Sequence, residues 1–156
     1  MPRRINYAKC HEGLLNELVR SKDSSGPFET KAKCLIYAAS FGASFGVEKG
    51  RKPLPDKKAE AIRYDIFACQ DFEDLICSLA IFATKDIKIL ENNEDSDAGD
   101  QRVTIFEEFA HYGLERLEAE LKGEANKTDG IALLLSKNYS DRVEEAGINW
   151  EKIENL

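Results

Sequence analysis

Lys49, Arg51, Lys52, Lys57, Lys58 and Arg63 fall within fifteen residues, opposed in that stretch only by Asp56 and Glu60. Arg3 and Arg4 join them if the fold brings the start of the chain close. Cations grouped in this way hold a nucleic-acid backbone by displacing condensed counterions, an attraction that ignores base sequence and weakens steeply with salt. The same charges suit a solvated loop that compensates a helix C-terminus and an acidic surface elsewhere in the chain. Both readings stand, so the six positions are candidate contacts to a DNA backbone or to a partner.

Other chemistries find weaker footing. The glycines of "SFGASFGVEKG" (40–50) recur every four residues, at Gly42, Gly46 and Gly50. That spacing matches neither a dinucleotide fingerprint nor a triphosphate loop. Direction also counts against a cradle: phosphate binds where a helix begins, and these glycines follow a helical stripe. The chain has two histidines, His11 and His111, and no C-x-x-C pair. Cys10 and His11 are neighbours, and adjacent side chains on a helix point apart. "DSDAGD" (95–100) resembles the opening of a calcium loop, but its glycine is displaced and Phe106 stands where glutamate is required. His111 lies at the edge of an apolar stripe and reads as structural. The only E-x-K downstream of Pro55-Asp56 is Glu120-Leu121-Lys122, at a helix end rather than on a strand. The expectation is therefore no catalytic residue, no metal ligand and no cofactor.

The elements that must position the basic stretch are mainly helices. Leu14, Leu15 and Leu18 form a stripe on a helix over 7–20, and "KDSSGP" (22–27) ends it. A second helix runs from about Thr30 to Phe45, with Cys34, Leu35, Ala38, Phe41, Gly42 and Phe45 on one face. Its C-terminal half is crowded with small residues that let another helix approach closely. Two glycines in that half cost about 1 kcal/mol each against alanine, which packing must offset. Residues 47–61 form a loop, and 61–70 read equally as a short strand or a turn of helix. Asp71 is placed as N-cap of a helix over 71–84, apolar nearly all round and so expected to be central. A short helix follows at 86–90 and an acidic loop at 91–101. Thr104 and Glu107 have the spacing of a capping box, opening a helix to Lys122-Gly123. A further helix covers about 129–137.

The expected fold is mainly α: one compact bundle of about five to seven helices over 1–137, with at most a minor strand near 62–67. An acidic tail, 138–156, is expected to dock loosely through short helical turns, with Trp150 and Ile153 as candidate partner contacts. The net charge of −7 conceals a division: residues 1–63 hold 13 Lys/Arg against 7 Asp/Glu, and residues 64–156 hold 9 against 22. Opposed halves attract across a fold or across a homo-oligomer, and a basic face is compatible with an acidic whole. No apolar run approaches the roughly 18 residues that span a bilayer, and no secretory segment follows Arg3-Arg4, so a cytoplasmic location is expected. Cys10, Cys34, Cys69 and Cys77 are expected to be reduced and mostly buried.

Four segments together carry a resemblance: "FETKAKCLIYAASFGASFG", "GRKPLPDKKAEAIRYDIF", "LICSLAIFA" and "RVTIFEEFAHYGLERL". The most specific is Arg102–Leu114, an R-x-T-I-F-E-E-aromatic-A-x-x-G-L pattern. The chain resembles the fourth Dnd system-associated protein, one of the small accessory proteins found beside DNA phosphorothioation modification and restriction genes. The likeness covers about residues 10–135, with the tail from Asn138 expected beyond the family core. It implies a non-enzymatic accessory protein of a bacterial phosphorothioation-linked defence system, contacting other proteins of that system. The alternative is a DNA-binding or regulatory subunit that uses the 49–63 loop.

Overall fold

Phe106, Phe109, Ala110, Gly113, Leu114 and Leu117 recur at helical spacing, and the protein is built around the helix that carries them. The computed structural model describes residues 3–93 and 95–145. Among these, six α-helices and a two-stranded sheet form a mainly helical bundle: β1 (Arg4–Ile5), α1 (Glu12–Leu18), α2 (Lys31–Ala43), β2 (Ile62–Arg63), α3 (Tyr64–Ala68), α4 (Glu73–Thr84), α5 (Ala98–Glu120) and α6 (Lys127–Glu145). Single 3-10 turns at Lys9–His11 and Ile87–Leu90 precede α1 and follow α4. The segment read as strand or helix is both in succession, β2 running straight into α3.

Helix α2 lies against α5 along most of its length, and this seam is the largest contact in the bundle. Glycine makes it possible. A Cβ on Gly113 would collide with the carbonyl of Ala38, and one on Gly42 with the carbonyl of Phe109. The helices therefore meet backbone to backbone, with Leu35, Phe109 and Leu114 fully buried beside the contact. Each such side chain contributes about 1.5–3 kcal/mol on burial, enough to offset the helix-propensity cost of the glycines. Thr30 caps α2, its hydroxyl accepting from the Lys33 N–H at 3.2 Å. Gly46, at φ 94°, ends the turn beyond it, and Gly50 folds back to donate its N–H to the Gly46 carbonyl. The repeated Ser-Phe-Gly is a helix end whose aromatic rings, Phe41 and Phe45, meet edge to face at 5.3 Å.

Five expectations are corrected. The central helix is α5, not the one at 71–84: α4 packs on α5 along one side and leaves Ile81 and Phe82 37% and 43% exposed. An apolar circumference marks a helix as sticky, but the longer α5, with its glycine approach, collects neighbours on several sides. Asp71 is no N-cap; it takes a left-handed φ of 60° in the turn before α4, and Phe72 occupies the cap position. Thr104 is exposed well inside α5, which begins at Ala98, so no capping box forms. Of the cysteines only Cys34 is buried, which pushes its thiol up to about 12; Cys10 and Cys69 are exposed and Cys77 is half-buried, all unbridged. Helix α6 continues through the expected limit at 137 to Glu145.

Candidate functional site

The basic stretch follows α2 and returns to the start of the chain. Its second half runs antiparallel to residues 3–9: Ile5 and Arg4 pair with Ile62 and Arg63, Ala8 with Lys58, and the Lys9 N–H donates to the Lys57 carbonyl at 3.1 Å. Its first half crosses α5. The Lys52 N–H donates to the Glu108 carbonyl at 3.2 Å, and the Arg51 guanidinium meets the Glu108 carboxylate at 3.2 Å. Lys52 Nζ reaches Glu115 Oε1 at 2.6 Å. Arg63 pairs with Asp65, two residues away, and Arg3 with Asp100 at 3.0 Å.

Arg51, Lys52 and Arg63 are thus already matched, and the first two answer α5 rather than the C-terminus of α2. Lys49, Lys57 and Lys58 are exposed and have no ion-pair partner among the described residues, and neither do Arg4 and Lys9. What remains of the patch is a strip along the β1–β2 ladder, with Lys49 apart from it in sequence. Trp150 and Ile153 lie outside the described residues.

The family-like pattern on α5 resolves into positions that hold the fold. Arg102 is buried, its Nη1 donating to the carbonyls of Ile89 at 2.7 Å and Glu91 at 3.1 Å and its Nη2 to Asn92 Oδ1 at 2.7 Å. It ties the turn after α4 to α5. Ile105, Phe106, Phe109, Ala110 and Leu114 are core, and Gly113 forms the α2 seam. Glu107 Oε1 accepts from the Asn6 N–H at 2.8 Å and from Asn6 Nδ2 at 3.1 Å, anchoring the segment after β1. Burial raises the Glu107 carboxyl above its ordinary value, against the pull of those two bonds. Glu108 receives Arg51. Each of these contacts positions an element of the fold.

One arrangement was invisible in the sequence. His11, at the end of the first 3-10 turn, meets His111 on α5, Nε2 to Nδ1 at 3.2 Å, with ring centroids 5.0 Å apart. Both rings are almost fully buried, 2% and 4% exposed. His11 Nδ1 stands 3.7 Å from Glu118 Oε2, and His111 Nε2 stands 3.7 Å from Glu115 Oε1. Burial holds both histidines below the ordinary value, outweighing the nearby glutamates; their mutual contact in the case of His111, and Lys52 in both, act the same way. Ligand atoms of His11, His111 and Glu115 all lie within 4.8 Å of one another. Counting histidines could not find this, because the partners are a hundred residues apart in sequence and only the seating of the amino-terminal segment on α5 joins them.

A small helical protein organised on one long signature helix is the class that fold and site define together. The chain belongs to the DNA sulphur modification system-associated protein 4 family, whose model matches residues 4–153. The match takes in most of the tail, correcting the expectation that the family core stops before Asn138. No curated protein and no solved structure matches the chain. No described helix is long and apolar enough to cross a membrane.

Proposed function

We propose that this chain is a non-enzymatic accessory protein of a DNA sulphur-modification system, and that it acts by binding other proteins of that system. The observation that carries this reading is the apolar surface at the end of α4 and in the turn after it. Ile81 and Phe82 near the end of α4 are 37% and 43% exposed, Phe82 while its ring also meets Phe109 of α5 at 6.2 Å, and Ile87 in the following turn is 75% exposed. Exposed large apolar side chains gathered in one place mark contact surfaces more often than solvent-facing ones. Family membership supplies the setting, and the fold-holding roles of the signature residues agree with a scaffold that presents a surface. Affinity purification from a native host tests it. Recovery of sulphur-modification or restriction proteins with the tagged chain, reduced in a Phe82→Glu/Ile87→Glu variant, is expected; recovery of none overturns the reading.

A second reading keeps one specific observation, the strip Arg4, Lys9, Lys57 and Lys58 along the β1–β2 ladder. A DNA-binding subunit would retard duplex DNA at low salt and lose binding steeply as salt rises. Under this reading Lys57→Ala/Lys58→Ala reduces retardation more than Arg51→Ala or Lys52→Ala, because Arg51 and Lys52 face glutamates of α5. Absence of retardation at low salt removes it.

A further inference from the structure

His11 and His111 are buried titratable groups that an accessory role leaves without a task. Two neutral imidazoles carry two ring hydrogens for four nitrogens. One hydrogen must bridge the inner pair, His11 Nε2 and His111 Nδ1, at 3.2 Å. One outer nitrogen is then bare. It is either His11 Nδ1 beside Glu118 or His111 Nε2 beside Glu115, an acceptor turned toward an acceptor in both cases. His11 Nδ1 has no hydrogen-bond partner, on a ring 98% buried from solvent by the 2% exposure above. A cation between the inner nitrogens removes the conflict: both outer nitrogens then carry hydrogens, and that of His11 faces the Glu118 carboxylate. Histidines that ligate metals are oriented in this way, by a carboxylate on the second ring nitrogen.

The spacing agrees. Two nitrogens each about 2.0–2.1 Å from a tetrahedral ion stand about 3.3 Å apart. We propose that His11 Nε2, His111 Nδ1 and the Glu115 carboxylate form a binding site for a first-row divalent ion of the zinc class. Imidazole and carboxylate donors suit that class; three protein donors leave the fourth position to water, and the near-complete burial of both rings directs the ion to holding the fold. The ion would clip the Lys9–His11 turn onto α5, with Glu118 orienting His11 from behind. Lys52, whose ammonium stands 2.6 Å from Glu115 Oε1, is the charge such an ion must compete with.

The test uses the full chain, stripped with chelator and titrated with Co2+ as a spectroscopic probe, then with Zn2+ in competition. One equivalent of Co2+ should bind with tetrahedral ligand-field bands and be displaced by Zn2+. His11→Asn and His111→Asn should each weaken binding more than about 100-fold, and Glu118→Gln about 10-fold, the range seen for outer-shell partners. Lys52→Gln should tighten binding several-fold, an effect that a purely structural role for the histidines does not produce. Cys10→Ser should leave it unchanged. No binding by the unmodified chain overturns the proposal, as does affinity that both histidine variants retain or that Cys10→Ser abolishes. Should the histidine variants fail to fold, imidazole nitrogen resonances of the unmodified protein decide: Zn2+ must shift both histidines, and unshifted rings overturn the site.

Discussion

His11-Glu12-Gly13 and His111-Tyr112-Gly113 share a His-x-Gly pattern one hundred residues apart, and the molecule treats the two halves of that pattern differently. The histidines meet each other in a buried contact. The glycines have nothing in common: a Cβ on Gly13 would find no atom within 4 Å, whereas one on Gly113 would strike the Ala38 carbonyl. A residue's worth is therefore set by what stands opposite it, not by its type or its local spacing. On α5 the two kinds of contact lie side by side, a dry backbone seam at Gly113 and a polar pair at His111.

Gly113→Ala is the strongest way to break this comparison. The obstructing atom belongs to a helix backbone and cannot rotate away, so a cost of about 3 kcal/mol is expected, at the upper end for overpacking. Urea unfolding monitored by circular dichroism measures it, and a midpoint within error of the unmodified chain would show that the seam is loose. Next comes the polar pair. With chelator present, His11→Leu should cost about 1–3 kcal/mol, because His111 Nδ1 is left buried without a partner. The double change His11→Leu/His111→Leu should cost less than the two single changes added together, a coupling read from the same unfolding curves. Additive costs would mean that the two rings are neighbours without interacting. The smallest effect is the control: Gly13→Ala should stabilise by about 0.5 kcal/mol, since the site is open and alanine restricts the unfolded chain. A loss there would break the contrast between the two glycines.

Much of the fold was legible because helix signals are local. The stripes of α2 and α5, the Thr30 cap region, the stop near Gly46 and the turn chemistry of 22–27 depend on residues within a few positions of one another. The crowding of small residues on α2 announced a close approach, and the Gly42 contact with α5 is that approach. The candidate site was less legible. The sequence placed six cations together, but it could not show that Arg51 and Lys52 answer Glu108 and Glu115, more than fifty residues away, or that Arg4 lines up beside Arg63 and Lys9 beside Lys57. Thr104 and Glu107 illustrate the same limit: their spacing is right for a capping box, yet α5 starts earlier and Glu107 is engaged by Asn6.

By itself the sequence determined the helical class, the positions of most helices and the small-residue face through which two of them could touch. Those follow from the 3.6-residue period, turn propensities and the missing Cβ of glycine, all properties of short segments. Only the tertiary structure decided which helix is central, which cations are neutralised, and that His11 and His111 share one buried contact. Those outcomes depend on how loops close and which faces dock, so they join residues whose separation along the chain carries no periodic signal.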